Sequence, residues 1–322
     1  MSETHKFEAG GRAVAAAVAA LDAGRLVGLP TETVYGLAGD ARNPDAVAAI
    51  YAAKGRPSRN PLIVHVADTD AAARIAVLPE AALRVAAAMW PGPLTLVVPL
   101  RDGAGLAPAV TAGLATVAIR VPARPVARAV LAAFGAPVAA PSANLSGRVT
   151  ATTAAHVEAD LGDRVAVVID DGPSPAGIES TILDVCGPPR ILREGAVPAE
   201  RLAEVLGDVA SHEGTGESEV KAPGMLASHY APASALRLNA SDVAPGESLL
   251  TFGDAVIRGW GDAAAVRNLS PDGDLAEAAH NLFAQLRELD GAAPVIAVAP
   301  IPETGLGAAL NDRLRRAAAP RP

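Results

Sequence analysis

An α/β fold in two units is the class this sequence predicts, and three observations carry it. Short apolar runs alternate with stretches of helical period along the first two thirds of the chain. At 322 residues the chain is long for one compact unit. A polar, glycine-containing, aperiodic stretch, "DVASHEGTGESEVKA" at 208–222, separates those two thirds from a smaller region with the same alternation.

The elements follow in order. "GRAVAAAVAALDAG" carries Val14, Val18 and Leu21 at helical spacing and stops at Gly24. "RLVGLP" reads as a buried strand running into "TETVYG". Asn43 and Pro44 are the N-cap and first position of a helix bearing Val47, Ile50 and Tyr51, which ends at Lys54 before Gly55. "PLIVHV" is the next strand, with alanine-rich helices over 69–77 and 79–89 behind it. "PLTLVV" and "TVAIRV" are strands, "RPVARAVLAAFG" a helix, and "APVAAPSAN" a strand breaking into a loop. A helix from Thr153, the strands "RVAVVID" and "STILDV" and the helix "PAERLAEVLG" complete a unit over 1–207. A linker over 208–235 ends in the distinctive "PGMLASHYAP". Beyond it "LRLN", "SLLTFGD", a helix from Asp274 to Leu289, "PVIAVAP" and a helix from Thr304 make a smaller α/β unit over 236–322.

Composition narrows the function classes. Residues 1–207 hold 18 Lys and Arg against 20 Asp and Glu, and residues 208–322 hold 9 against 15, nets of -2 and -6. No part is basic overall, which argues against a dedicated nucleic-acid binder. A groove that stacks RNA bases is a rival reading, but three tyrosines, four phenylalanines and two tryptophans give it thin support. A single cysteine, Cys186, excludes an internal disulfide and a cysteine-cluster metal site, and is expected to be a buried bystander. The start, "MSETHKFEAG", lacks a signal-peptide pattern, and no apolar run is long enough to span a bilayer, so a cytoplasmic protein is expected.

The stretch "KGRPSRNPLIVHV" places Lys54, Arg56 and Arg59 together between Pro57 and Pro61. Lys54 is explained by the helix dipole alone. Arg56 and Arg59 lie past the helix end on a proline-stiffened loop, which favours an anion site over a solvated one, with polyphosphate the leading anion. No G-x-x-x-x-G-K-[ST] or G-x-G-x-x-G pattern occurs. His65 shares a strand face with Ile63 at the end of the strand leaving that loop, as either a core histidine or a ligand group. In "TVAIRV", Thr116, Ala118 and Arg120 share one face. An arginine there must meet a carboxylate, a carbonyl or a ligand; a salt bridge and a carboxylate-bearing substrate both satisfy it. Ser142, Asn144 and Ser146 in "APSANLSG" fit an Asx or Ser turn, and Glu179, Ser180 and Arg193 sit at strand mouths and ends.

Taken together and in this order, "LPTETVYGLAGDA", "KGRPSRNPLIVHV", "WPGPLTLVV", "VAIRVP", "APSANLSG", "GIESTILDV", "LREGAV" and "PGMLASHYAP" closely resemble the YrdC/Sua5 family, and within it the long Sua5-type threonylcarbamoyl-AMP synthases. The resemblance is dense from residue 12 to about 232, and the last third fits the family's extra Sua5 domain. It implies a YrdC-like twisted mixed sheet with a concave active-site groove, plus a smaller Rossmann-like α/β domain. It also implies synthesis of L-threonylcarbamoyladenylate and pyrophosphate from L-threonine, bicarbonate and ATP, for modification of adenosine-37 in tRNAs reading codons that begin with A.

By the same resemblance Lys54, Arg56, Ser142 and Asn144 line the nucleotide and phosphate site. Threonine contacts carry over to Thr33, His65, Arg120, Ala140 and Ser180. ATP contacts carry over to Arg56, Asn60, Thr116, Ser142, Arg193, Tyr230 and Thr150, with Arg148 as the neighbouring alternative. Tyr230 sits in the segment expected to close over the site. Magnesium is expected to arrive on ATP's phosphates, with no protein metal site. Partners are the three small substrates and a functional hand-off to the tRNA threonylcarbamoyl transferase machinery, without membrane or direct tRNA contact. A carbamoyl-transfer role like that of hydrogenase-maturation relatives is disfavoured by the lone cysteine.

Overall fold

The computed structural model describes residues 4–57, 60–211 and 229–320. Arg59, most of the expected linker and residues 223–228 of "PGMLASHYAP" lie outside the described residues. Among those described, eleven strands form one mixed sheet. From edge to edge they are His5–Glu8, Val167–Asp170, Val27–Leu29, Gly36–Asp40, Val138–Ala139, Ile63–His65, Thr116–Arg120, Leu94–Pro99, Thr181–Asp184, Arg190–Arg193 and Ala210–Ser211.

One face of this sheet is covered along its length by helices that include Pro44–Lys54, Glu80–Met89, Ala154–Leu161 and Ala199–Leu206, over a core containing Leu37, Ile50, Val64, Leu96, Ile119 and Leu183. The other face is covered at one end by the helices Gly11–Asp22 and Pro125–Phe134, packed on Val27, Leu29 and Ile169. Towards its other end, Ile63, Val97, Ala118, Ile182 and Leu192 form a small apolar cluster of their own. Strand alternation places them there: Val64 and Ile119 point into the large core, so their neighbours Ile63 and Ala118 point away. This second surface is the floor of the candidate site.

The helix Pro44–Lys54 forms as its sequence dictates. The Asn43 side chain accepts from the amides of Asp45 and Ala46, and Gly55 closes the end at φ 60°. Its last residue is therefore fixed in position, which matters for Lys54 below.

The smaller unit is a four-stranded parallel sheet in the order Ala235–Arg237, Val295–Val298, Ser248–Thr251, Val266–Asn268. Its helices, Leu275–Leu289 and Leu306–Ala318, lie against each other on one face, while Ala240, Val243 and Ile257 cover the other. The helical face is turned to the first unit: Val34, Val149, Ile178 and Tyr230 belong to the same apolar cluster as Leu282, Phe283, Leu310 and Leu314. Gly177 marks how close the approach is, since a Cβ there would stand 2.4 Å from the carbonyl oxygen of Ala279 and the Cα of His280.

Several elements differ from the expectation. His5–Glu8 is a parallel edge strand without apolar alternation, and Gly36–Asp40 contains two glycines, so neither has a sequence signal. Both form because a neighbouring strand offers its hydrogen-bonding edge. Cys186, expected to be buried, is exposed, because it follows the strand Thr181–Asp184 into the turn "CGPP".

Candidate active site

The sheet register gathers polar side chains on the face with the small apolar cluster. His65 lies opposite Arg120 in parallel register, Thr95 opposite Ile182, and Arg193 opposite Ile182 on its other side. A cleft there is lined by Thr31, Thr33, Val34, Arg56, Ile63, His65 and Arg120. Gly36, Ala140, Pro141, Ser142, Glu179, Ser180, Arg193, His229 and Tyr230 complete it.

Arg120 anchors one pole. It is 3% exposed, and donates from Nε to the Gly92 carbonyl (3.2 Å), from Nη1 to Thr33 Oγ1 (2.7 Å) and from Nη2 to Glu32 Oε1 (2.6 Å). Glu32 is held in turn by the Ala123 amide at 3.0 Å, and Thr33 Oγ1 pairs with Thr31 Oγ1 at 2.9 Å. Of the partners open to this buried arginine in the sequence, the structure supplies both a carbonyl and a carboxylate, and still leaves its guanidinium on the cleft wall. Beside it, burial and the Arg120 charge push the His65 pKa down to about 3, so its imidazole is neutral.

Lys54, Arg56 and Ser142 build the second side. Lys54 Nζ donates to the carbonyls of Ser142 (2.6 Å) and Asn144 (2.5 Å), so the ammonium clamps the "PSAN" loop and stands behind the cleft wall. Burial, followed by the nearby Arg56, pushes its pKa down to about 7. The Asn144 amide tightens the same loop, donating to the Leu145 and Arg148 carbonyls at 2.9 Å. Arg56 reaches the Pro61 carbonyl through Nη2 at 3.0 Å. Replacing Lys54 with methionine is expected to release the Ser142 and Asn144 carbonyls, each worth about 1–3 kcal/mol when left unpaired. A lowered melting temperature together with a fall in kcat checks this; unchanged values of both would remove the clamp.

The third side comes from the strand ends. Arg193 donates from Nε (3.2 Å) and Nη2 (2.9 Å) to the Ser180 carbonyl, and Nη2 also reaches Ser180 Oγ at 3.1 Å. Ser180 Oγ is bonded to Thr95 Oγ1 at 2.7 Å. Glu179 accepts from Thr150 Oγ1 at 2.8 Å and from Arg313 Nε at 3.0 Å. Burial raises its pKa, but Arg313 and Arg193 outweigh that and hold it below the usual carboxylate range. Tyr230, at φ 67°, packs between the rings of His229 and Phe283.

Of the residues singled out from sequence, Thr33, Arg56, His65, Arg120, Ala140, Ser142, Ser180, Arg193 and Tyr230 line this one cleft. Lys54, Asn144 and Thr150 lie behind its walls, each holding a neighbour. Asn60 is buried in the cationic loop. Thr116 sits at the far end of its strand, level with Pro61 by the register of Ile63 with Ala118, and so beside Arg56's carbonyl partner and away from Arg120. Sequence reading passed over Glu32, Glu179 and His229 as site residues. His229 was visible inside "HYAP", and Glu32 inside "TETVYG", whereas Glu179 draws its ion-pair partner, Arg313, from the far end of the chain.

The cleft also concentrates buried polar atoms without partners among the described residues: Arg56 Nε, His65 Nδ1, His229 Nδ1 and Tyr230 OH. Each is costly in a folded chain unless a polar ligand completes it.

Comparison with known proteins bears on the same surface. Residues 19–195 match the Sua5–YciO–YrdC family model, described as "Telomere recombination", and residues 197–319 match the "Threonylcarbamoyl-AMP synthase, C-terminal domain". The chain belongs to the Sua5–YciO–YrdC family. A Bacillus subtilis threonylcarbamoyl-AMP synthase is 39% identical over 95% of this chain and 92% of its own length. A Pyrococcus abyssi one is 39% identical over 91% and 90%. The crystal structure of P. abyssi Sua5 complexed with L-threonine superposes with a TM-score of 0.89 at 34% identity, covering 99% of this chain and 97% of that one. The Sua5-type architecture expected from the motifs, a large mixed sheet followed by a smaller α/β unit, is the one observed.

Proposed function

We propose that this chain is a threonylcarbamoyl-AMP synthase, a nucleotidyltransferase that joins L-threonine, bicarbonate and ATP into L-threonylcarbamoyladenylate and pyrophosphate. The observation that carries the reading is a single cleft with two kinds of cationic wall: Arg120 between Thr33 and His65 on one, Arg56 and Arg193 on the other. An amino-acid carboxylate and a triphosphate need separate anchors, and Ile63 gives threonine's methyl an apolar contact between them. The threonine complex of the P. abyssi relative supports this assignment.

The chemistry asks little of covalent catalysis. Threonine's amine takes up bicarbonate with loss of water to give a carbamate, whose oxygen attacks the α-phosphorus as pyrophosphate leaves. Arg120, Thr33, Ala140 and Ser180 hold threonine, and neutral His65 lies where the amine is expected. Arg56, Arg193 and Ser142 neutralise the charge that builds on the phosphates, with Asn60, Thr116 and Tyr230 completing the nucleotide site. Lys54, Asn144 and Thr150 keep the loops in place. Rate enhancement then comes from holding three reactants together and from preorganised cations. Both oxygens of Glu179, the one carboxylate among the described cleft-lining residues, are already bonded, so the cleft offers no ready ligand for a resident divalent ion. A magnesium ion carried on ATP would supply further neutralisation of the phosphate charge beside Arg56 and Arg193.

Residues 1–207 form the catalytic unit and 236–322 the C-terminal unit, joined by 208–235, from which His229 and Tyr230 line the cleft and shield the water-sensitive carbamate. The product passes to the tRNA threonylcarbamoyl transferase machinery in the cytoplasm, where ATP, threonine and tRNA meet. Mass spectrometry after mixing the protein with ATP, magnesium, bicarbonate and each amino acid in turn tests the reading. The adduct is expected with threonine and only when bicarbonate is present; AMP or ADP without an adduct would overturn it.

A further inference from the structure

Arg313 lies in the last helix, Leu306–Ala318, yet it is the largest wholly buried side chain among the described residues. Its Nε bonds Glu179 Oε2, its Nη1 bonds Asp312 Oδ2 at 2.7 Å, and its guanidinium carbon stands 5.3 Å from the centre of the Tyr230 ring. Asp312 is itself held by Arg316 Nε at 2.8 Å. A residue of the smaller unit thus reaches two side chains on the cleft wall of the larger one. The surrounding contacts fix it there: Arg287 bonds the carbonyls of Val149 (2.5 Å) and Thr150 (3.2 Å) and the carboxylate of Asp160, and Gly177 packs on Ala279 and His280.

The charge pattern gives the contact a purpose. Glu179 is the only carboxylate among the described residues lining a cleft otherwise walled by Arg56, Arg120 and Arg193. An unbalanced carboxylate at that point would repel an entering polyanion. We propose that Arg313 is a positioning residue of the C-terminal unit, which neutralises Glu179 and backs Tyr230 so that the cleft accepts the nucleotide only while the two units are docked. The proposal rests on the activity assigned above and gives the C-terminal unit a direct part in it.

Steady-state kinetics of the full-length chain test it. R313M is expected to raise KM for ATP by roughly tenfold or more while KM for threonine stays within about twofold. Adding E179Q to R313M removes the repelling charge and is expected to return KM for ATP to within about threefold of wild type. R313K, which keeps the charge, should rescue the same constant, and R315A, an exposed change on the same helix, should leave both constants alone. A folded R313M with an unchanged KM for ATP, equal shifts in both constants, or no rescue by E179Q would each overturn the proposal. Should R313M not fold, hydrogen exchange on the wild-type chain decides. A non-hydrolysable ATP analogue is expected to slow amides in Leu306–Ala318 more than those in Gly11–Asp22, and equal or absent protection rejects the idea. Product formation by the wild type in the same assay tests the activity separately.

Discussion

Replacing Arg120 with alanine is expected to reduce threonine affinity by about a hundredfold or more, while nucleotide affinity stays within a few fold of wild type. The first half follows from the guanidinium, which lies on the cleft wall between Thr33 and His65 and is the charged group best placed to meet an amino-acid carboxylate. A charge-assisted hydrogen bond contributes about 1.5–3 kcal/mol, and a bidentate pair joins two of them. The second half follows from the sheet, because Arg56 and Thr116 lie at the other end of the strand pair. Alanine also removes Glu32's ion-pair partner, and breaking a buried pair from one side costs about 3–5 kcal/mol. Arg120→Lys separates the two effects: it keeps a cation opposite Glu32 but loses the fork that grips a carboxylate. Calorimetric titration of both variants with threonine and with an ATP analogue is the check. Normal threonine affinity in either would end the carboxylate role.

Arg56→Ala is the second large effect. Threonine- and bicarbonate-dependent exchange between ATP and pyrophosphate is expected to fall by about 10²–10³, the usual loss when one preorganised donor to a transition-state oxyanion is removed. Arg56 has one bond to the Pro61 carbonyl and a buried Nε without a partner among the described residues. Burial pushes its pKa down to about 10, which still leaves it cationic at neutral pH. Its charge is therefore present throughout the physiological range and should be lost only in strongly alkaline solution. Exchange at near-wild-type rate, with a circular dichroism spectrum unchanged, would show that the phosphates are held elsewhere.

How far the site could be read from sequence depended on whether the signal was local. Asn43, Pro44 and Gly55 announce the helix that delivers Lys54, and its caps form as written. Strand alternation alone places Ile63 and His65, and Thr116, Ala118 and Arg120, on one face, which is the face of the cleft. The destination of Lys54 was not legible: a helix-end lysine satisfies the dipole wherever it points, and only the return of the chain at Ser142–Asn144 gives it two carbonyls. Gly36–Asp40 gave no strand signal because glycines carry no pattern. Arg313 is the furthest from legible. In "LNDRLRRAA" three arginines stand within four positions, and only packing of the two units decides that Arg313 goes inside while Arg315 stays out.

The apolar cluster shared by Val34, Val149 and Ile178 with Phe283, Leu310 and Leu314 bears on how the molecule comes apart. Lifting one unit off the other would strip that cluster bare and leave Glu179 without its counter-ion. Neither part therefore keeps its native interior alone, and the chain should melt as one cooperative block, with a single calorimetric transition for both sheets.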